Sequence, residues 1–381
     1  MDARRIAMLL LLSLGCSSAL TQSTVSELDI LRGRADSASF ARALAPRDFR
    51  FPADHGPHPQ FRHEWWYFTG NLDSASGQRF GFELTFFRLG LVPQPAPHAR
   101  PEGANSPAGV ASQWRAGELY VAHMAVTDVA RGRFRFAQRY SRAALGLAGA
   151  EADPLHVWVD DWAVGAVAGG WELRAGGAEY ALQLQVQPLS APVLNGDHGL
   201  SVKSGEPGAA SYYYSIPRLA VQGRIQRGGE SIQVHGLAWL DREWGSGALG
   251  PREVGWDWFA LQLHDGSSLM FYALRNQDGS RDPHSAGTWV DASGQAHPLA
   301  NDDVSIEVTD RWLSPRGARY PAGWRLRVPP LGIDATLRPV LADQELATRP
   351  RYWEGAVDVR GTEAQRPLAG RGYVELVGYG E

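Results

Sequence analysis

The sequence predicts an all-β fold made of two consecutive antiparallel β-barrels related by internal duplication. Three observations predict it: apolar and polar residues alternate along many short runs, glycine and tryptophan are abundant, and three short blocks recur in the same order in both halves. The alternation is plain in Arg79-Phe80-Gly81-Phe82-Glu83-Leu84-Thr85-Phe86 and in Glu179-Tyr180-Ala181-Leu182-Gln183-Leu184-Gln185-Val186. A shorter case is Asp334-Ala335-Thr336-Leu337. A period of two puts the apolar side chains on one face of a strand. The 43 Gly and 14 Trp suit short strands joined by tight turns better than helices. Few segments hold a helical period; Arg142–Glu151 is a candidate short helix, weakened by Gly146 and Gly149. The Pro/Ala/Gly-rich stretch Pro93–Gly109 reads as a surface insertion.

The duplication rests on three pairs of blocks. Trp65-Trp66-Tyr67-Phe68-Thr69-Gly70-Asn71-Leu72 matches Trp256-Asp257-Trp258-Phe259-Ala260-Leu261-Gln262-Leu263. Gly170-Trp171-Glu172-Leu173 matches Gly323-Trp324-Arg325-Leu326, and Gly236-Leu237-Ala238-Trp239-Leu240-Asp241 matches Gly370-Arg371-Gly372-Tyr373-Val374-Glu375. One pair alone is weak; three in order argue for a repeated unit. The seam falls near residue 246, giving an N-terminal domain over 46–246 and a C-terminal domain over 247–381. Closing a sheet into a barrel removes its exposed edges, and a small barrel can hold one apolar ligand.

The hydrophobic share of 44% supplies a sizeable core, and a formal net charge of −4 leaves no basic excess for phosphates. Nucleic-acid binding therefore has no electrostatic footprint. The N-terminus reads as an export signal over residues 1–15: Arg4 and Arg5, the apolar run Ile6–Leu14, then Gly15-Cys16. The run is too short to span a bilayer. Cys16, the single cysteine, sits where a bacterial lipoprotein is acylated, although Ser13 occupies a position where Leu is usual. The expectation is a lipidated tether over 16–45 and a membrane-anchored protein of the bacterial cell envelope; plain export and a buried structural cysteine are the alternatives.

The chain resembles the AttH/CrtC family, lipocalin-like proteins that include carotenoid 1,2-hydratases. The residues that carry the resemblance begin with His63-Glu64-Trp65-Trp66-Tyr67-Phe68-Thr69-Gly70-Asn71-Leu72. They continue through Gly196-Asp197-His198-Gly199-Leu200, Ser211-Tyr212-Tyr213-Tyr214-Ser215, Trp239-Leu240-Asp241-Arg242-Glu243-Trp244, Gly255-Trp256-Asp257-Trp258-Phe259 and Tyr352-Trp353-Glu354-Gly355. The nearer branch is the AttH-like exported proteins, often labelled secreted hydrolases. The resemblance implies two lipocalin-like barrels, a hydrophobic lipid-like or isoprenoid-like ligand, and an ABC-type export permease as partner. It also implies an alternative, a hydratase that adds water to a C=C bond by carboxylic-acid catalysis. A fold of this kind does not by itself fix a reaction.

The candidate site residues are carboxylates among aromatics. Asp241 and Glu243 lie two apart on one strand face, with Arg242 on the other. Two carboxylates in one cavity raise each other's proton affinity, so one can stay protonated, as an acid catalyst needs. Neighbouring Trp and Tyr faces would stabilise a cation. The competing reading is a salt-bridge network at the barrel junction, because Arg242 is a natural carboxylate partner. Glu64 shares a strand face with Trp66 and Phe68, opposite His63, Trp65 and Tyr67, and is either a barrel-interior acid or a structural acceptor. Asp257 lies between Trp256 and Trp258, and Glu354 follows Tyr352-Trp353; each is a catalytic or ligand contact, or an ion pair at a barrel mouth. Glu375, the repeat equivalent of Asp241, reads as structural. Tyr214, Trp244, Trp353 and His123 complete the expected ligand-binding set, with core roles as the alternative, and Asn195 and His198 sit on a loop that could rim the site.

No cofactor or metal is expected. His63-Glu64-Trp65-Trp66-Tyr67 begins like a zinc-protease motif but lacks the second histidine and reads as a strand. The 11 histidines show no ligand spacing. Gly245-Ser246-Gly247-Ala248-Leu249-Gly250 matches a dinucleotide-binding pattern with no following helix, and no Gly-x-Ser-x-Gly elbow exists to support a serine hydrolase.

Overall fold

The computed structural model describes residues 40–93, 117–247, 249–250, 252–348 and 351–379. The leader, Cys16, most of the expected tether and nearly all of the expected insertion after Pro93 lie outside these residues.

The chain forms two antiparallel sheets, each curled around its own core as a lipocalin-like barrel. The first is built from β1 (His63–Ser74), β2 (Arg79–Gly90), β3 (Glu118–Asp128), β4 (Arg133–Arg142), β5 (Ala148–Ala152), β6 (Leu155–Val159), β7 (Trp162–Val167), β8 (Gly170–Gly176), β9 (Tyr180–Pro188), β10 (Val193–Leu194), β11 (Leu200–Val202), β12 (Ala210–Arg227) and β13 (Glu230–Gly247). The second comprises β14 (Glu253–Leu263), β15 (Ser268–Asn276), β16 (Ala286–Val290), β17 (Ala296–Leu299), β18 (Ser305–Leu313), β19 (Arg319–Val328), β20 (Ile333–Pro339), β21 (Glu345–Leu346), β22 (Tyr352–Glu363) and β23 (Arg366–Val377).

The strand order repeats. The first sheet runs β4-β3-β2-β1-β13-β12-β9-β8-β7-β6-β5, and the second β17-β16-β15-β14-β23-β22-β20-β19-β18. Register repeats with it. Thr69 faces Trp239 across β1 and β13, and their block equivalents Ala260 and Tyr373 face each other across β14 and β23. Trp65 and Trp256 therefore occupy equivalent strands, β1 and β14. The matched glycines have one cause: a Cβ on Gly236 would lie 2.2 Å from the Asn71 carbonyl oxygen, and one on Gly370 2.5 Å from that of Gln262, the residue equivalent to Asn71.

Arg142–Glu151 is not a helix. β4 ends at Arg142, the chain turns with Leu145 and Gly146 at positive φ, and β5 follows. The glycines lower helix propensity and supply the turn.

Period-two alternation sorts side chains into three cores. Trp66, Phe68, Phe82, Leu84 and Trp244 point into the first barrel. Phe259, Trp324, Trp353 and Val357 fill the second. The outward faces of both sheets meet in a third cluster that includes Tyr67, Tyr213, Trp239, Trp258, Tyr272 and Tyr373. Both interiors are thus occupied by large side chains. The expected ligand space inside a barrel gives way to a pocket between the two.

Candidate functional site

The pocket is walled by outward-facing rungs of the two sheets. In the first barrel, Ser215, Asp241, Tyr67 and Thr85 form one rung across β12, β13, β1 and β2. Tyr213, Glu243, Trp65 and Phe87 form the next. In the second barrel Glu354, Glu375, Trp258 and Tyr272 form a rung across β22, β23, β14 and β15. Side chains directly opposite one another on adjacent strands share a face. Tyr67 and Trp258 are repeat equivalents, as are Asp241 and Glu375, and all four line the pocket. The site therefore lies on the pseudo-two-fold between the halves. About 90 Å³ of it is open to a water-sized molecule. Trp65, Phe87 and Trp256 are half-buried at its edge, while Tyr67, Tyr213 and Trp258 are buried.

Asp241 is buried, and among the described residues no arginine pairs with it; Lys203 is the nearby cation. Its Oδ2 accepts a hydrogen bond from Tyr213 Oη at 2.5 Å, and Oδ1 accepts from Ser215 Oγ and Trp239 Nε1, both at 2.6 Å. Thr288 Oγ1 donates to Asn195 Oδ1, and Asn195 Nδ2 donates to Ser215 Oγ, each at 2.8 Å. This chain of donors runs from the second barrel into the carboxylate. Trp258 Nε1 donates to Tyr213 Oη at 3.2 Å. Burial pushes Asp241 up to about 6 against the donors that lower it, and the nearby Glu243 adds to the rise. A carboxyl poised there exchanges its proton close to neutral pH, the condition for general acid–base work.

Glu243 accepts a hydrogen bond from Ser211 Oγ and pairs with Lys203 Nζ at 3.4 Å. The Lys203 ammonium lies 3.7 Å from the centre of the Tyr272 ring and 5.0 Å from that of Tyr213. The first barrel's wall thus carries Asp241, Glu243 and Lys203, and the second offers the faces of Trp256 and Trp258 beside Glu375. Such a box suits an apolar molecule that acquires positive charge as it reacts.

The remaining expected residues divide. Asp241, Glu243, Trp256 and Trp258 meet at the pocket. Glu64 does not join them. It faces the first barrel's interior, where Arg88 Nε donates at 2.5 Å, His58 N at 2.9 Å and Arg242 Nη2 at 3.1 Å. The two arginines and His58 hold its carboxyl well below the usual range despite burial. Arg242 does form an ion pair, but with Glu64 inside the first barrel and not in a network at the barrel junction. Trp66 lies under the Arg242 guanidinium at 4.0 Å, and Trp244 stacks on His58 at 3.7 Å; both are interior. Tyr214 is interior too, bonded to His55 Nδ1 at 2.6 Å.

Asp257 points away from its flanking tryptophans and is tied to Arg275 Nη1 at 2.5 Å and Tyr379 Oη at 2.9 Å. Trp353 fills the second barrel. His123 sits in the seam with Nδ1 2.6 Å from Tyr352 Oη, and burial lowers it to about 4, so its ring is neutral. Glu354 lies behind Tyr67, whose Oη donates to its Oε1 at 2.5 Å. Glu375 differs from its structural expectation, since it lines the pocket and accepts from Trp256 Nε1 at 2.8 Å. Asn195 supports Asp241 from behind, while His198 is exposed.

Sequence reasoning missed Lys203, Tyr213, Ser215, Trp65 and Tyr67 as site residues. The signal was present: once Asp241 is placed on the site face, cross-strand register brings Tyr67 and Ser215 with it.

Two lipocalin-like barrels with an aromatic, carboxylate-bearing pocket between them define a class of duplicated all-β protein. The AttH-like family matches residues 42–379, and the chain belongs to that family. It is similar to an AttH-assigned protein from Nitrosomonas europaea, with 36% identity, a TM-score of 0.77, and coverage of 89% of this chain and 100% of that one. It also shares its fold with kievitone hydratase from Nectria haematococca, at 15% identity, TM-score 0.67, and coverage of 89% and 96%. A structure of CghA with Sch210972 is similar at 13% identity and TM-score 0.50, covering 91% and 97%. No curated protein matches the chain.

Proposed function

We propose that this protein is an acid–base catalyst for an unsaturated, apolar small molecule held between its two barrels, and that it adds water across a C=C bond or removes it. The observation that carries the reading is Asp241: buried, free of any arginine, held by three donors and set in an aromatic pocket. In its neutral form Asp241 gives a proton to one alkene carbon. Positive charge develops on the other carbon, where the ring faces of Trp256 and Trp258 stabilise it. Water attacks that carbon, and its surplus proton returns to the Asp241 carboxylate, so atoms and charge balance. Tyr213, Ser215 and Trp239 fix the carboxyl throughout. Kinship in fold to a protein described as a hydratase agrees with this reading. Filled barrel interiors disfavour a carrier that holds its ligand inside one barrel. Anchoring through an acylated Cys16, and service to an export permease, remain proposals from the sequence.

The test is mass spectrometry of a panel of isoprenoid and polyketide-like alkenes incubated with the protein in ¹⁸O-labelled water. Wild type incorporates the label into a substrate, and Asp241→Asn lowers the rate by about 10²- to 10⁴-fold, the range of general acid catalysis. Undiminished incorporation in Asp241→Asn refutes the assignment.

A further inference from the structure

Glu83 and Glu354 oppose each other in the seam behind the pocket. Two contacts bracket them. A Cβ on Gly81 would lie 2.8 Å from that of Ala356, and His123, the register partner of Thr85, bonds Tyr352. Position 83 on β2 is two residues from both 81 and 85, and 354 on β22 is two residues from both 356 and 352. The side chains are 0% and 1% exposed. Among the described residues no arginine, lysine or histidine lies within ion-pair distance of either. The titratable groups facing them are Tyr67 on β1 and Tyr373 and Glu375 on β23, none of them a cation.

Hydrogen bonding is equally sparse. Glu354 Oε1 accepts from Tyr67 Oη at 2.5 Å. Glu354 Oε2 and both Glu83 oxygens are buried with no partner in hydrogen-bond geometry, although the Thr85 hydroxyl lies near Glu83. Two buried carboxylates without a counter-charge cannot both ionise. Burial pushes Glu83 up to about 8; burial, with Glu83 and Glu375 nearby, pushes Glu354 well above the carboxylate range.

We propose that Glu354, packed against Glu83 with no counter-charge, keeps its proton and that Tyr67, which lines the pocket, passes that proton to the substrate, so that Tyr67 is a second proton donor beside Asp241. The proposal rests on the hydration reading for its chemistry, but the stored proton and its route do not depend on that reading. Tyr67 and Asp241 are direct cross-strand neighbours, so both reach the same bound molecule. Above pH 6 Asp241 is mostly a carboxylate and lacks the proton it would donate. The relay then supplies it: burial and the neighbouring carboxyls make Tyr67 hold its hydroxyl proton tightly, so it gives that proton to the alkene carbon only as Glu354 turns its own proton onto the Tyr67 oxygen, and Asp241 takes one from the attacking water. Transfer from Asp241 back to Glu354 through Tyr67 resets the site. Tyr67 is the catalytic residue of this relay; Glu354 and Glu83 are positioning residues that act through it.

Infrared spectroscopy of the intact protein with ¹³C-carboxyl-labelled glutamate tests this without a substrate. At pH 7 wild type shows a protonated glutamic-acid carbonyl band, which Glu354→Gln diminishes and Tyr67→Phe moves to higher frequency by removing its hydrogen bond. On transfer to D₂O that band shifts as the acid proton exchanges, and Tyr67→Phe slows the exchange tenfold or more. Tyr373→Phe, which removes the other seam phenol, leaves the exchange rate unchanged. A spectrum with no protonated glutamic acid at pH 7, or a band indifferent to Glu354→Gln, overturns the stored proton. Unaltered exchange in Tyr67→Phe overturns the route. A protein that passes these tests yet hydrates no alkene retains the relay and loses the hydration reading.

Discussion

Asp241→Asn changes how stability responds to acid, and the size of the change follows from the site. The folded protein binds the Asp241 proton up to about pH 6, against an ordinary 3.8. Between those values the folded state holds more protons at this residue than the unfolded chain does. Stability from this group is therefore fully present below pH 3.8 and falls as pH rises through 6. At about 1.4 kcal/mol per tenfold in proton affinity, the loss is about 3 kcal/mol. Asparagine has nearly the same shape and cannot ionise. It has one acceptor oxygen for three donors, Tyr213, Ser215 and Trp239, which costs about 1–3 kcal/mol in acid. Urea unfolding followed by tryptophan fluorescence at pH values from 4 to 7.5 measures both terms. The variant starts less stable than wild type and gains on it by about 2.4 kcal/mol across that range. Parallel stability curves refute the claim that Asp241 is a desolvated carboxyl.

The other two predictions concern residues away from the pocket. Glu64→Gln leaves Arg242 buried without a carboxylate partner and Arg88 with Glu118 alone, so it lowers stability by about 3–5 kcal/mol in the same unfolding assay; a change below 1 kcal/mol would show that the buried pairs of Glu64 do not hold the first barrel together. Cys16→Ala releases the mature protein from the membrane fraction into the soluble exported fraction, because a lipoprotein's two or three acyl chains suffice for stable anchoring. Wild type recovered wholly soluble with a free Cys16 thiol refutes the anchor.

Much of the fold was legible because strand alternation and block order are local or linear signals. The three repeated blocks place Trp65 with Trp256 and Gly236 with Gly370, and the shared register of β1/β13 and β14/β23 follows. Which face of a strand carries the site was not legible. A barrel strand has an inward and an outward face, and in this chain both are apolar and aromatic. Glu64 with Trp66 and Tyr214 with Trp244 share the inward face; Asp241 with Tyr67 and Tyr213 share the outward one. Alternation separates these sets without saying which meets a ligand. Only the packing of one barrel against the other decides that, and packing between barrels leaves no period in the sequence. Lys203 was invisible for another reason: it belongs to the loop between β11 and β12, and only the folded chain brings it beside Glu243.

The pocket's chemistry depends on where the two halves have stopped being alike. A perfect two-fold would place identical groups on both walls, and an acid facing its own copy would share its proton with that copy alone. Here the rung Ser215–Asp241–Tyr67–Thr85 answers to Glu354–Glu375–Trp258–Tyr272. On the first wall a carboxylate sits between two hydroxyls that can donate to it or pass a proton. On the second, the positions of Tyr67 and Thr85 have become Trp258 and Tyr272, large ring faces suited to a cation. The position of Ser215 has become Glu354, which reaches back across the axis to the Tyr67 hydroxyl of the opposite wall. The first half thus supplies Asp241 and Tyr67, while the second supplies the tryptophan faces and the carboxyl behind Tyr67. Neither barrel alone contains the whole site, and the seam between them is the one place where both sets of groups can reach one molecule.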